Sequence, residues 1–263
     1  MARRLPPTRY AQSVRAKIAY QVSGKGPRDL VFVPDLVSHL DLQWQQLSYR
    51  RFVSALEHAC RVIRFDKRGT GLSDPTDTLP SMDERVTDLA AVMDAAESQR
   101  AVLFGVSDGG RAAIAFTAAR PSRVLGLILY GTSYRGPRPG LLRRYRSIVG
   151  HWGEGDLLEL IAPSAAGPGS RDTAGAFERA AASPGMAAAL IESMSRADVS
   201  DLLATIQVPT LVLHREQDMI PLADARAVAG RIPGAVLSVV PGGDHLPRAG
   251  DGWPVVEAVV GPS

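Results

Sequence analysis

Seven short apolar runs, at residues 18–22, 30–33, 62–65, 101–106, 124–130, 210–214 and 235–240, are mostly continuous and β-branched rather than alternating. A strand with one wet face alternates apolar and polar residues, so runs without that alternation suit strands buried on both faces, as in a parallel sheet. Helical patterns at 42–59, 82–97, 109–120 and 222–231 lie between them, and the second opens on Ser81 with Glu84 three residues on, a capping-box signature. Strand-helix alternation of this kind folds as a mostly parallel sheet with helices on both faces, joined by right-handed crossovers. The fold class is therefore α/β, and 263 residues suffice for one such domain with a large core.

The alternation stops once, over residues 134–205, where Gly, Pro, Ala and Ser abound and no apolar strand appears. This stretch is expected to be an inserted helical cap, leaving 1–133 and 206–263 as the core domain. Its Tyr134, Tyr145, Trp152, Phe177, Met186 and Met194 are candidates to line a substrate pocket, although a small lid needs such residues for its own packing. Residues 162–173 offer little side chain to bury and are expected to be the most flexible part.

Composition excludes several classes of function. Hydrophobic residues make up 45% and charged residues 22%, and no apolar run approaches the roughly 20 residues that span a bilayer. The start, Met1-Ala2-Arg3-Arg4-Leu5-Pro6-Pro7, is basic but has no apolar stretch behind it, so no export signal is read and a cytoplasmic location is expected. Cys60 is the sole cysteine, which rules out an internal disulfide and a multi-cysteine metal site. The net charge of +3 comes from scattered arginines, and the Arg143, Arg144 and Arg146 cluster reads as a solvated helix face rather than a nucleic-acid surface. The expected partner is a small molecule.

Gly105-Val106-Ser107-Asp108-Gly109 is the one G-x-S-x-G in the chain, a match that chance alone supplies in roughly one chain in ten of this size. Context raises its weight: a strand precedes it and an Ala-rich helix follows, the strand-turn-helix that a nucleophile elbow needs. Small residues belong there because the turn is tight, and at a helix start Ser107 meets backbone N–H groups and the positive end of the helix dipole. A serine hydroxyl needs a base, and of the five histidines His245 lies on the loop after the run 235–240, at the carboxyl edge of the sheet. His39, His58, His151 and His214 read as turn, surface-helix, cap and strand-end residues. The base needs a carboxylate, and Asp218 follows the run 210–214 on a loop at the same edge. Glu216 shares that loop and stays an alternative. Asp244 adjoins His245, but adjacent side chains diverge, so it reads as a loop-capping residue. The order Ser, Asp, His is the one used on the α/β-hydrolase sheet.

On these residues the chain resembles the α/β-hydrolase superfamily, in its lid-bearing branch of small bacterial esterases, non-haem haloperoxidases and carbon-carbon bond hydrolases. Phe65-Asp66-Lys67-Arg68-Gly69-Thr70-Gly71-Leu72-Ser73-Asp74 is similar to the D-x-R-G-x-G-x-S segment after strand four, and Gln207-Val208-Pro209-Thr210-Leu211-Val212-Leu213 to the lead-in to the acid strand. The resemblance implies a cap inserted after strand six, a structural role for Arg68, and an oxyanion hole made by the backbone N–H groups of Leu36 and Asp108. One departure matters: Val33-Pro34-Asp35-Leu36 puts Asp35 where the family usually has glycine. Either the backbone tolerates aspartate at a left-handed turn position, or a carboxylate beside the hole disfavours a full oxyanion and leaves a modulating base for other chemistry.

Three functions follow. The first is a serine hydrolase cleaving an ester or related acyl bond of a small, partly apolar molecule. The second keeps fold and triad for non-hydrolytic biosynthesis, as a cyclase or carbon-carbon bond-forming enzyme, with Asp35 as its support. The third is a non-catalytic ligand receptor, which an intact triad argues against. None requires a metal or organic cofactor.

Overall fold

Eight strands pair into one sheet, in the spatial order β1-β2-β4-β3-β5-β6-β7-β8. In chain order the elements are β1 (Arg9–Ser13), β2 (Ala16–Ser23), β3 (Arg28–Val33), α1 (Leu40–Gln45), α2 (Leu47–Ala59), β4 (Cys60–Phe65), α3 (Met82–Ala95), β5 (Ala101–Val106), α4 (Asp108–Ala119) and β6 (Val124–Tyr130). There follow α5 (Pro139–Gly150), α6 (Asp156–Ile161), α7 (Ser170–Ala181), α8 (Pro184–Arg196), β7 (Thr210–Arg215), α9 (Leu222–Ala229), β8 (Val236–Val240) and α10 (Trp253–Val260). This computed structural model describes residues 4–76 and 78–260, so Met1, Ala2 and Arg3 of the basic start lie outside the described residues.

The β1–β2 hairpin is antiparallel and β2 pairs antiparallel with β4, whereas the strands from β4 to β8 run parallel. Alternate residues of β5 explain why its sequence has no polar positions. Ala101 and Leu103 pack with α3 and α4 side chains such as Leu89, Met93 and Phe116 on one face. Phe104 and Val106 pack on the other with Phe52 and Leu56 of α2 and Val255 and Val256 of α10. There Phe32, Phe52 and Phe104 make edge and tilted ring contacts at 5.3–6.4 Å between centroids, the spacing aromatic pairs prefer.

The capping box forms as expected: Glu84 N–H donates to Ser81 Oγ at 3.2 Å and Ser81 N–H to Glu84 Oε2 at 2.9 Å. The helix expected over 42–59 is instead two, because Gln46 is extended (φ −76°, ψ 122°) and separates α1 from α2.

Between β6 and β7 the described residues form four α-helices, two short 3-10 helices and no strand of the sheet. Their apolar faces, with Tyr145, Ile148, Trp152, Leu157, Leu190, Ile191 and Met194, pack together and onto Leu36 and Val37 of the β3–α1 loop. Glu178 holds the turn between α5 and α6 by accepting the N–H groups of Gly153, Gly155 and Leu157 at 2.8–3.0 Å. The stretch 162–173, expected to be flexible, is tied at Ser164, whose N–H and Oγ donate to Asp244 at 2.9 and 2.6 Å. Arg143, Arg144 and Arg146 are exposed on α5, as the helix-face reading expects. Among the described residues no helix is long and apolar enough to cross a membrane.

Candidate active site

Ser107 is the single residue between β5 and α4, at φ 52° and ψ −119°, a conformation that L-residues adopt only where their surroundings force it. Its N–H donates to Tyr130 O at 2.8 Å, and its carbonyl accepts from Gly110 N–H at 3.1 Å and Thr132 Oγ1 at 3.2 Å. The glycines around it are needed for space. A Cβ at 105 would lie 2.6 Å from Gly110 Cα, one at 109 would lie 2.4 Å from Pro34 O, and one at 110 would lie 2.0 Å from Thr132 Oγ1. The elbow expected from sequence is thus wedged between the ends of β3 and β6.

His245 Nδ1 lies 2.8 and 3.0 Å from the two carboxylate oxygens of Asp218, and both side chains are wholly buried. Asp218 Oδ1 also accepts Ile220 N–H at 2.8 Å. A carboxylate partner requires Nδ1 to carry the proton, which leaves Nε2 as the basic nitrogen. Nε2 is buried and makes no hydrogen bond. Burial pulls the His245 pKa down, but the charge and hydrogen bond of Asp218, with Asp35 adding to them, outweigh it and raise the value above the usual one. Gly131, which follows β6 at φ 56°, makes this pair sterically feasible: a Cβ there would lie 2.8 Å from His245 Cε1 and 3.3 Å from Asp218 Oδ2. Nothing in the sequence distinguished Gly131 from an ordinary turn glycine.

The rival residues are engaged elsewhere. Glu216 is exposed. Asp244 accepts from Ser164 as a loop-capping residue, and His245 N–H donates to Ile161 O at 2.8 Å, so the helical insert and the histidine loop are joined. His39 caps α1, His58 and His151 bond to helix carbonyls, and His214 Nε2 pairs with Ile220 O at 2.9 Å.

Asp108 N–H occupies the first position of α4, where a helix offers no internal acceptor. Its side chain is clamped by Arg111 at 2.6 Å, Arg85 at 2.8 Å and Lys67 at 3.1 Å. Burial opposes the charge, but these three cations hold the carboxyl well below the usual range. The cluster fixes the Asp108 backbone and leaves excess positive charge behind the elbow, which favours an oxyanion in front of it. Arg68 belongs to a separate network with Asp88 and Glu84 on α3, in keeping with a structural role. Asp66 accepts from Ser38 Oγ (2.6 Å), Leu40 N–H (3.1 Å) and Leu72 N–H (2.9 Å), which anchors the loop carrying Leu36. Leu36 N–H is already taken: it donates to Asp35 Oδ1 at 2.5 Å.

Two cavities meet at Tyr145, whose hydroxyl burial pushes well above its usual pKa. One, of about 210 Å³, contains Ser107, Gly131, Arg111, Met194 and Met219. The other, of about 330 Å³, runs from Asp35, Leu36 and Val106 under Leu157, Ile161 and Phe177 to Gln46 and Arg248. Of the pocket residues expected from sequence, Tyr145, Phe177 and Met194 line these spaces. Tyr134, Trp152 and Met186 line neither. Trp152 Nε1 donates to Ala182 O at 2.9 Å inside the insert, Met186 packs in the same cluster, and Tyr134 packs against the sheet with Arg135 and Arg231 over its ring. Lys67, Arg85, Arg111 and Arg248 are additions that the sequence, read alone, does not single out. Among the described residues no group of His, Cys, Asp or Glu side chains could hold a metal ion.

The sequence profile of the alpha/beta hydrolase family matches residues 30–252. The chain belongs to that family. This α/β hydrolase is 28% identical over 206 residues to the "Putative carbamate hydrolase RutD" of Caulobacter sp. (strain K31), covering 73% of this chain and 76% of that protein. Among solved structures it resembles a thermophilic esterase from Thermogutta terrifontis (TM-score 0.77, 25% identity, 96% of each chain). It also shares its fold with the enol-lactonase from Burkholderia xenovorans LB400 (TM-score 0.81, 22% identity, 96% of this chain and 98% of that one). As a member of the family this α/β hydrolase is a hydrolase of that fold, and the bond it cleaves is the question that its site must answer.

Proposed function

We propose that the chain is a serine hydrolase cleaving an ester or related acyl bond of a small, partly apolar molecule, with Ser107, His245 and Asp218 as its triad and 134–205 as its cap. The observation that carries this reading is the buried Asp218–His245 pair, with Nε2 unengaged, on the same sheet edge as a serine in a strained elbow. Ser107 Oγ attacks the carbonyl carbon as Nε2 accepts the hydroxyl proton. The C–O bond to the leaving group then breaks as that group takes the proton from His245. Water, deprotonated by Nε2, next cleaves the acyl-enzyme and restores the Ser107 hydroxyl. The tetrahedral oxygen is held by Asp108 N–H, joined by Leu36 N–H when the Asp35 carboxylate swings off it. A serine-directed fluorophosphonate is expected to label the parent protein and to leave Ser107→Ala unlabelled; equal labelling of both refutes the nucleophile.

The contact between Asp35 and Leu36 N–H also favours the second reading, in which the same fold serves non-hydrolytic chemistry with Asp35 as a modulating acid or base. Under the hydrolase reading, Asp35 competes with the substrate for a hole donor. One such donor is worth about 2.7–4 kcal/mol in other enzymes. Freeing a donor that is only competed for recovers part of that, so Asp35→Gly is expected to hydrolyse a small aryl ester roughly tenfold faster, about 1.4 kcal/mol. Asp35→Asn should gain less, since its amide oxygen still accepts from Leu36. Residue 35 is not among the residues at positive φ, so the left-handed turn expected there does not form. Folded variants that gain nothing show that the Asp35 carboxylate does not oppose the oxyanion, and variants that gain esterase activity while losing the native reaction support the non-hydrolytic reading.

A further inference from the structure

The larger cavity contains a cation, Arg248, that no carboxylate of the described residues contacts directly, although the charge of Asp35 acts on it across the cavity. Arg248 lies three residues beyond His245, with its guanidinium 5.2 Å over the Tyr49 ring and its NH2 group donating to Gln46 Oε1 at 3.2 Å. Among the described residues it enters no ion pair. The two carboxylates in the same cavity wall are committed to backbone: Glu178 to the N–H groups of Gly153, Gly155 and Leu157, and Asp35 to that of Leu36. A half-buried guanidinium without a directly bonded anion costs the fold stability, and a ligand anion seated on it reduces that cost. Arg248 also lines a surface cleft with Ser48, Arg51 and Asp251, which puts it at the mouth of the cavity, and among the described residues no ion pair joins it to Asp251. The helix break at Gln46 brings an amide to the same place.

We propose that Arg248, with Gln46, is the recognition site for a carboxylate carried by the substrate: an ester, thioester or lactone with an apolar body beneath Leu157, Ile161 and Phe177 and a carboxylate at its far end. This rests on the hydrolase reading of Ser107. Apolar walls accept the body without orienting it, and a charge-assisted bond at the mouth fixes its direction and rejects neutral competitors. Asp35 disfavours an anion placed near Ser107, so the charged group sits at the Arg248 end, with the reacting carbonyl at the other.

The test compares mono-4-nitrophenyl esters of the dicarboxylic acids from succinate to suberate with 4-nitrophenyl esters of the matching monocarboxylic acids. The parent should favour the anionic ester at one chain length. In Arg248→Met the ratio of kcat/KM for anionic over neutral ester should fall ten- to hundredfold, mainly through KM, the range expected for a hydrogen bond to a charged group. Arg248→Lys should restore part of it, which a merely structural role for the side chain does not predict. A parent indifferent to charge at every length, or an unchanged ratio in Arg248→Met and Arg248→Gln, overturns the proposal. Calorimetry of the free dicarboxylates with Ser107→Ala, with and without Arg248→Met, separates the two readings. Arg248-dependent binding without ester turnover or fluorophosphonate labelling retains the anion site and rejects the hydrolase, whereas turnover without such binding does the reverse.

Discussion

Ser107→Ala is expected to lower kcat on an activated aryl ester by about a millionfold, and adding Asp218→Asn to it should lower kcat no further. The elbow explains both results. Without the Ser107 oxygen there is no acyl-enzyme, so His245 has no proton to accept from residue 107 and Asp218 no imidazolium to stabilise. What survives is the binding of substrate and the pull of Asp108 N–H on the carbonyl, which a triad mutation does not remove. Alanine retains the φ of 52° that serine suffers, whereas glycine adopts it freely. Ser107→Gly should therefore be as inactive as Ser107→Ala yet melt at a higher temperature, by an amount within the roughly 1–3 kcal/mol that such backbone strain stores. Thermal melts of the three proteins check this. Equal melting of Ser107→Ala and Ser107→Gly removes the claim of strain, and a Ser107→Ala that keeps more than a thousandth of parental kcat removes Ser107 as nucleophile.

The sequence carried the parallel strands from β3 to β7 because they are largely buried on both faces and so contain few polar residues, whereas β8, at the sheet edge, exposes Val236 and Val239 and was read from its apolar run alone. The hairpin strand β1 escaped because it is an edge strand with exposed positions at Arg9, Tyr10 and Gln12, and because its partner is antiparallel. The break at Gln46 was invisible for a different reason: the apolar spacing of Leu42, Phe52 and Leu56 continues across it, and one extended residue leaves no periodic trace. The elbow and its histidine could be read because local chain order places them, as turn chemistry after a strand. The cluster around Asp108 could not, since Lys67, Arg85 and Arg111 come from three segments and meet through the fold alone. Gly131 is another such residue, whose need for small size comes from a histidine more than a hundred positions away. Trp152 and Met186 took the packing alternative that the sequence left open: a large apolar residue in a small helical segment has its own core to fill before it has a ligand to meet.

Asp218→Asn should reduce turnover on the same ester by about ten-thousandfold, the loss seen when an amide replaces the acid of a serine triad in another enzyme. Ile220 N–H, 2.8 Å from Oδ1, keeps the amide oxygen at that position, 2.8 Å from His245 Nδ1, and so puts the NH2 at the Oδ2 position, 3.0 Å from the same nitrogen. The NH2 repels an Nδ1–H and favours the tautomer in which Nδ1 accepts, which shifts the proton toward Nε2, the nitrogen that should take the Ser107 proton. The pH profile gives a second readout. In the parent, Asp218 holds the His245 pKa above its usual value despite burial, and the base works only when neutral, so activity climbs as pH rises through that raised value. Removing the carboxylate charge leaves burial to dominate, which lowers the pKa and moves the acid limb of the residual activity to lower pH. Glu216→Gln, at an exposed position, should stay close to parental in both rate and profile. Asp244→Asn should loosen the tie to Ser164 without shifting the limb. An Asp218→Asn protein with parental kcat and an unshifted limb, alongside an inactive Glu216→Gln or Asp244→Asn, would assign the acid to one of those carboxylates instead.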